Sequence, residues 1–280
     1  GRYTGMMIAS DLDGTFMDAK GRVVQRNIDA ISAFCAGGGL FTFATGRHHD
    51  HLPEAVPGVE RLVNMPVIVA NGSYLYDFST DRVLAEVFME IDVSRAALQY
   101  ARANYPRVGF RVSTPQGYLT DGRTEYMQKF INYSKKHRSY LVEVAPIEQW
   151  MQRLWHKIVF QGTCEELDAL YADLKATFGE EAFEYNKSSA TLFEIQKKGC
   201  SKGSMLRVLK QSYEILTGRP SKVFGVGDYE NDLALLQAAD VAVCPTNALD
   251  CVKAVSDLCL CHHTEGLIAN LIELIEEGRA

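Results

Sequence analysis

The chain reads as short apolar runs that stop at polar or glycine-containing steps, alternating with stretches of helical period. Residues 6–10, Met-Met-Ile-Ala-Ser, form the first run and end at Asp11. A continuous apolar run of this length predicts a strand buried on both faces. Val24, Ile28, Ile31 and Phe34 then recur at helical spacing over 24–35, and Gly37-Gly38-Gly39 closes the helix. Further strands are predicted at 40–44, stopping at Thr45-Gly46, and at 67–70, stopping at Asn71-Gly72. The alternation returns near the end: helix 201–216, strand 222–226, helix 231–239, strand 241–244 and helix 267–276. Strands that alternate with helices predict an α/β fold with a doubly wound, Rossmann-like parallel sheet.

The middle of the chain follows another rule. Short alternating segments at 108–113, 117–120, 140–144, 157–160 and 191–195 predict strands, with helices such as 93–104 and 165–178 between them. Residues 88–196 also hold 17 of the 28 aromatic side chains, a density that the rest of the chain does not share. This predicts an α+β domain (88–196) inserted into an α/β domain made of 1–87 and 197–280.

Charge narrows the function. Twenty-nine basic against 35 acidic residues give a net of −6, with no basic stripe. A non-specific nucleic-acid binder needs the opposite balance, so no nucleic-acid partner is expected. No apolar run is long enough to span a bilayer, and no membrane partner is expected. Seven scattered cysteines without a Cys-x-x-Cys pair argue for reduced thiols in a cytoplasmic protein rather than a zinc knuckle or redox pair.

Chemistry concentrates where predicted strands end, which is where open α/β sheets bind ligands. The first gives Asp11-Leu12-Asp13-Gly14-Thr15: two carboxylates that can share a cation or divide nucleophile and acid/base roles. The second gives Thr45-Gly46-Arg47, a hydroxyl and free N–H groups suited to an anion. The run His48-His49-Asp50-His51 lacks the spacing of a helical zinc site and reads as a solvated turn. The strand at 222–226 leads into Gly227-Asp228-Tyr229-Glu230-Asn231-Asp232, and Asp228 with Asp11 and Asp13 makes the oxygen-rich set that Mg²⁺ prefers. Asn231 or Asp232 could equally cap the next helix. Lys202 falls at the start of a helix, against the helix dipole, a local conflict that points to function.

Taken in order, Asp11-x-Asp13-Gly14-Thr15, Thr45-Gly46, Lys202 and Gly227-Asp228-x-x-Asn231-Asp232 resemble the four motifs of the haloacid dehalogenase-like phosphohydrolase superfamily. The aromatic-rich insertion between the second and third motifs resembles the Cof-like subgroup with a type-two B cap. The resemblance implies a Mg²⁺-dependent phosphatase of small phosphomonoesters, sugar phosphates foremost, working through an aspartyl phosphate. It implies Asp11 as nucleophile and Asp13 as acid and base. Mg²⁺ would be held by the Asp11 carboxylate, the Asp13 carbonyl and Asp228. Leu12, Thr45, Gly46, Lys202 and Asn231 would serve the phosphate, and Asp232 would support Lys202 or metal-bound water. The alternatives are a phosphomutase on sugar phosphates or a non-catalytic sugar-phosphate-binding protein. A monomer or small homo-oligomer is expected. Trp150, Trp155, Arg111, Arg123 and Tyr118 are the cap candidates for substrate contact. The sequence departs from the family at Pro245, where a Met-Gly-Asn-Ala turn is usual, and at Cys200.

Overall fold

The computed structural model describes residues 1–18, 20–138, 140–150 and 154–280. The chain begins with β1 (Met6–Ser10), α1 (Gln25–Ala36), β2 (Leu40–Phe43), α2 (Leu52–Ala55), α3 (Val59–Leu62), β3 (Val67–Val69), β4 (Tyr74–Asp77) and β5 (Arg82–Glu86). It continues through α4 (Ile91–Asn104), β6 (Gly109–Thr114), β7 (Gly117–Thr120), α5 (Glu125–His137), β8 (Val142–Val144), β9 (Lys157–Gln161), α6 (Cys164–Phe178), β10 (Phe183–Ser189) and β11 (Leu192–Lys197). It ends with α7 (Lys202–Thr217), β12 (Lys222–Val226), α8 (Leu233–Ala238), β13 (Val241–Cys244), α9 (Asp250–Lys253), β14 (Leu258–Cys259) and α10 (Leu267–Glu276). Two compact units result, one from Gly1–Glu86 with Ser201–Ala280, the other from Val87–Cys200. Among the described residues no helix is long and apolar enough to cross a membrane.

The first unit is built on a five-stranded parallel sheet in the order β14-β13-β12-β1-β2. Met7, Ile8, Ala9 and Ser10 of β1 are all fully buried, as a central parallel strand covered on both faces must be. Alternate residues of β13 show the two layers. Val243 joins a cluster with Ile31 and Phe34 of α1 and Leu267, Ile268, Leu271, Ile272 and Ile275 of α10. Ala242 and Cys244 instead cluster with Leu236 of α8. The apolar spacing of α10, at i, i+1, i+4, i+5 and i+8, is what turns one broad face of that helix inward.

The run at 67–70 is a strand of a different kind from the one its pattern suggested. Among the described residues it joins the parallel sheet only through a bridge between Ala44 and Ile68. Its ladder is with β4, and β4 pairs with β5, in a three-stranded antiparallel sheet. The sequence reading contained no β4–β5 hairpin: the side chains of β5 are largely solvent-facing, so no buried stripe marks it.

The second unit carries a six-stranded sheet ordered β10-β11-β9-β6-β7-β8, antiparallel except for β7 with β8. Phe110, Val112, Ile158, Phe160, Phe193 and Ile195 face a core shared with Ala97, Leu98 and Ala101 of α4 and Leu167, Leu170 and Leu174 of α6. Trp150 and Trp155 belong to this core, edge to face at 6.3 Å and nearly inaccessible, so they are packing residues and not candidates for substrate contact. Tyr118 is likewise buried against Phe130 and Tyr140. Arg111 lies over the Phe130 ring at 4.5 Å and donates to Gln161 at 3.2 Å, whereas Arg123 is an exposed partner of Asp121. All seven cysteines are free thiols.

Candidate active site

Strand register assembles the site. Ser10 of β1 stands level with Val226 of β12 and Phe43 of β2, so the residues that follow each strand emerge along one sheet edge. Asp11, the Gly227-Asp228 step and the Ala44-Thr45 step thereby become neighbours. The Asp11 amide donates to the Val226 carbonyl at 2.8 Å and the Thr45 amide to the Ile68 carbonyl at 2.8 Å, which extends the edge to β3. Leu12 turns inward as part of the core, so only its backbone faces the sheet edge.

Lys202 is fully buried, its ammonium 2.5 Å from Asp11 Oδ1 and 2.6 Å from Asp232 Oδ1. The helix behind it is secured by a capping box, Ser201 Oγ accepting the Ser204 amide at 3.0 Å and Ser204 Oγ accepting the Ser201 amide at 2.9 Å. Burial pushes the Lys202 ammonium toward neutrality, but Asp11 and Asp232 push the other way and prevail, so it stays charged. Asp232 is saturated: its Oδ2 accepts from the Asp228 and Tyr229 amides at 3.0 and 3.2 Å. Two close approaches admit only glycine here. A Cβ on Gly227 would lie 2.4 Å from Asp232 Cβ, and one on Gly14, at φ +78°, would lie 2.4 Å from Asp228 Oδ2.

Asp228 accepts the Thr15 hydroxyl at 2.7 Å through Oδ1. Burial first, and the neighbouring Asp232 second, raise its carboxyl to about 7. The Asp11 carboxyl is also raised well above the ordinary carboxylate range by burial, with Asp232 adding to the effect and Lys202 opposing it. Carboxylate oxygens of Asp11, Asp228 and Asp232 lie within 4.8 Å of one another. Lys202 takes one oxygen of Asp11 and Thr15 takes one of Asp228, leaving Oδ2 of each for a cation. Asp11, Asp13, Asp228 and Asp232 face Lys202 and Arg47, a formal excess of two negative charges, which one divalent cation offsets. An all-oxygen donor set with that charge suits Mg²⁺.

Asp13 is held differently. Its carboxylate is exposed and accepts from Arg47 Nε at 2.9 Å and Nη2 at 2.7 Å, one edge of the guanidinium. Thr45 is buried, and its hydroxyl accepts the Arg47 amide at 3.2 Å. Asn71, on the loop after β3, donates its amide N–H to the Thr45 carbonyl at 2.9 Å and accepts the Asn231 side-chain amide at 3.2 Å. A Cβ on Gly46 would come to 3.1 Å of Asn71 Oδ1, so Asn71 closes over the Thr45-Gly46 step. Asn247 donates to the Gly14 carbonyl at 2.9 Å, so the Pro245 loop still reaches the site.

The sequence reading assigned no role to Arg47, Asn71 or Thr15. Arg47 directly after Thr45-Gly46 was the available signal, since an arginine at a strand end that binds anions is seldom idle. The turn at 48–51 is packed rather than solvated. His48 is buried, and His49 stacks on Tyr76 at 3.9 Å with Nδ1 2.9 Å from the Tyr74 hydroxyl. Both tyrosines belong to the unforeseen hairpin, which is why the turn looked exposed. Asp50 lies 3.3 Å from both His48 and His49.

Comparison with known proteins agrees with this geometry. The chain is 26% identical over 275 residues to the pyridoxal phosphate phosphatase YbhA of Escherichia coli (strain K12), covering 96% of this chain and 98% of that one. Its fold is that of a haloacid dehalogenase-like hydrolase from Bacteroides thetaiotaomicron, with a TM-score of 0.78 at 19% identity over 98% and 99% of the two chains. It is likewise that of the subclass IIB sugar phosphatase BT4131, with a TM-score of 0.79 at 18% identity over 98% and 100%. A family model for haloacid dehalogenase-like hydrolases matches residues 8–272, and the chain belongs to that family.

Proposed function

We propose that this hydrolase is a Mg²⁺-dependent phosphatase of small phosphomonoesters, sugar phosphates foremost, that works through an aspartyl phosphate on Asp11. The observation that carries the reading is the buried Asp11–Lys202–Asp232 chain beside Asp228 at the end of β1. Lys202 holds Asp11 through Oδ1, so the protein rather than solvent sets the orientation of the carboxylate. In the first half-reaction an Asp11 oxygen attacks phosphorus, and Asp13 gives a proton to the departing oxygen. In the second, Asp13 takes a proton from the water that hydrolyses the aspartyl phosphate. The Lys202 ammonium, the Thr45 hydroxyl and the Gly46 N–H stabilise the transferring oxygens, with Asn231 held close by Asn71. Asp232 keeps Lys202 charged and in place. Asp11, the Asp13 carbonyl and Asp228 would hold Mg²⁺, which when bound offsets repulsion between an anionic nucleophile and an anionic phosphate.

The pyridoxal phosphate phosphatase relative supports a substrate of this size and extends the class from sugars to phosphorylated heterocycles. Residues 88–196, the proposed cap, would discriminate among them. The test is phosphate release from p-nitrophenyl phosphate with Mg²⁺. Asp11→Asn should lower turnover by roughly 10⁴-fold or more, as loss of a covalent nucleophile does, and EDTA should abolish it. Full activity in Asp11→Asn would overturn the assignment. A panel of sugar phosphates, nucleotides and pyridoxal phosphate then ranks the substrates by kcat/KM.

A further inference from the structure

Arg47 and Asp13 form a two-pronged pair: Nε donates to Oδ2 at 2.9 Å and Nη2 donates to Oδ1 at 2.7 Å. Their side chains are 34% and 56% exposed. An ion pair this open to water contributes only about 0–1 kcal/mol to stability. What the fork does supply is orientation, because two parallel bonds fix the plane of the carboxylate. Arg47 is itself anchored, its amide donating to Thr45 Oγ1 at 3.2 Å and its carbonyl accepting the Ala70 amide at 2.9 Å. Both prongs need an acceptor oxygen. The fork spans both Asp13 oxygens, so the arginine sets which way the carboxylate faces.

We propose that Arg47 is a positioning residue for the second half-reaction, holding Asp13 as the base that activates water. The proposal rests on the roles given above to Asp11 and Asp13. In that half the water oxygen bonds to phosphorus and the bond from phosphorus to the Asp11 oxygen breaks. Asp11 is released as a carboxylate, and the water proton passes to Asp13. Arg47 keeps the Asp13 carboxylate in plane from the moment it has protonated the leaving group until it takes this proton.

p-Nitrophenyl phosphate separates the two halves, because p-nitrophenolate departs without a proton and Asp13 is then needed only in the second. In rapid-mixing experiments Arg47→Ala should release about one equivalent of p-nitrophenolate per site at the wild-type rate. Its steady-state rate should then fall roughly tenfold to hundredfold, a part of the about 10²–10⁴ that a positioned base supplies. Arg47→Lys should fall between, and added guanidinium should restore part of the steady-state rate of Arg47→Ala. A slower first turnover, a raised KM without a burst, or an unchanged steady state would overturn the proposal, the first two assigning Arg47 to phosphate binding. The thermal midpoint of Arg47→Ala should stay near wild type, as an exposed pair implies. Turnover without any phosphoenzyme in Asp11→Asn would instead overturn the nucleophile assignment, so the two failures are distinguishable.

Discussion

Ala70, Asn71 and Gly72 stand in the left-handed region one after another, at φ of 49°, 55° and 91°. For residues with a Cβ this conformation costs about 1–2 kcal/mol, less for asparagine, which bonds locally and tolerates it. The strain is repaid in placement, since this turn carries the Asn71 side chain to Asn231 and over Gly46. Two substitutions separate backbone from side chain. Asn71→Gly should lose the side-chain bond to Asn231, about 1 kcal/mol in urea unfolding. Asn71→Ala should lose that bond and add the left-handed penalty, about 2–3 kcal/mol together. Both should lower kcat/KM if Asn231 and Gly46 serve the phosphate. Equal stability of the two variants would show that the turn is not strained. The sequence marks Asn71-Gly72 as a strand stop and no more, because the partner lies 160 residues further on and no local pattern reports it.

Helix α7 presents Lys202 only because the helix can come very close to α8. A Cβ at Gly203 would stand 1.9 Å from the Ala234 carbonyl oxygen, with backbone on both sides and no flexible side chain to yield. Gly203→Ala must therefore part the two helices, at a cost of about 1–3 kcal/mol by analogy with overpacked cores. Moving α7 also moves Lys202 relative to Asp11, so turnover should fall even where the variant is folded. The check is urea unfolding alongside kcat, and a fully active, fully stable Gly203→Ala would contradict the close approach. The readable elements share a cause with this packing. Strands β1, β12 and β13 and helix α10 are covered by other layers, so burial writes continuous or periodic apolar patterns into them. Strand β5 is mostly exposed and strand β10 mostly half-exposed, and mixed residues such as Glu184, Asn186 and Lys187 carry no such stripe. Helix α5 buries only Met127, Ile131 and Ser134, too narrow a seam to stand out, although Thr124 caps it. The candidate site was legible for a different reason: its carboxylates and Lys202 follow strands or open a helix that burial had already marked. Arg47 fell outside because its place after Thr45-Gly46 hints at an anion site but does not report its partner Asp13, 34 residues away.

At the scale of the whole molecule, the net charge of −6 is unevenly distributed, with four carboxylates around one buried lysine and one half-buried arginine. Without a cation this arrangement has a definite pH signature. Asp228 rises from an ordinary value of 3.8 to about 7 and Asp11 also rises, both chiefly through burial, so the folded chain binds more protons than the unfolded chain between those limits. The stability that Asp228 contributes is present below about pH 4 and is lost as pH rises through about 7, and Asp11 acts in the same sense. Groups lowered by their partners act in the opposite sense. Asp18, brought down to about 2 by the Arg22 amide and side chain, contributes stability above its unfolded value and loses it as pH falls. Metal-free protein should therefore be most stable on the acid side of neutrality. A cation at Asp11 and Asp228 binds their carboxylate forms, so its benefit must grow as protons leave. At a hundredfold over its Kd, Mg²⁺ should add about 2.7 kcal/mol near pH 8 and progressively less toward pH 5. Thermal midpoints with MgCl₂ and with EDTA, compared across that range, measure the increment directly. Asp228→Asn should abolish it, and should also flatten the pH dependence of the metal-free protein, because the neutral amide removes the group that titrates. A Mg²⁺ increment independent of pH, or one that survives Asp228→Asn, would place the cation away from these carboxylates.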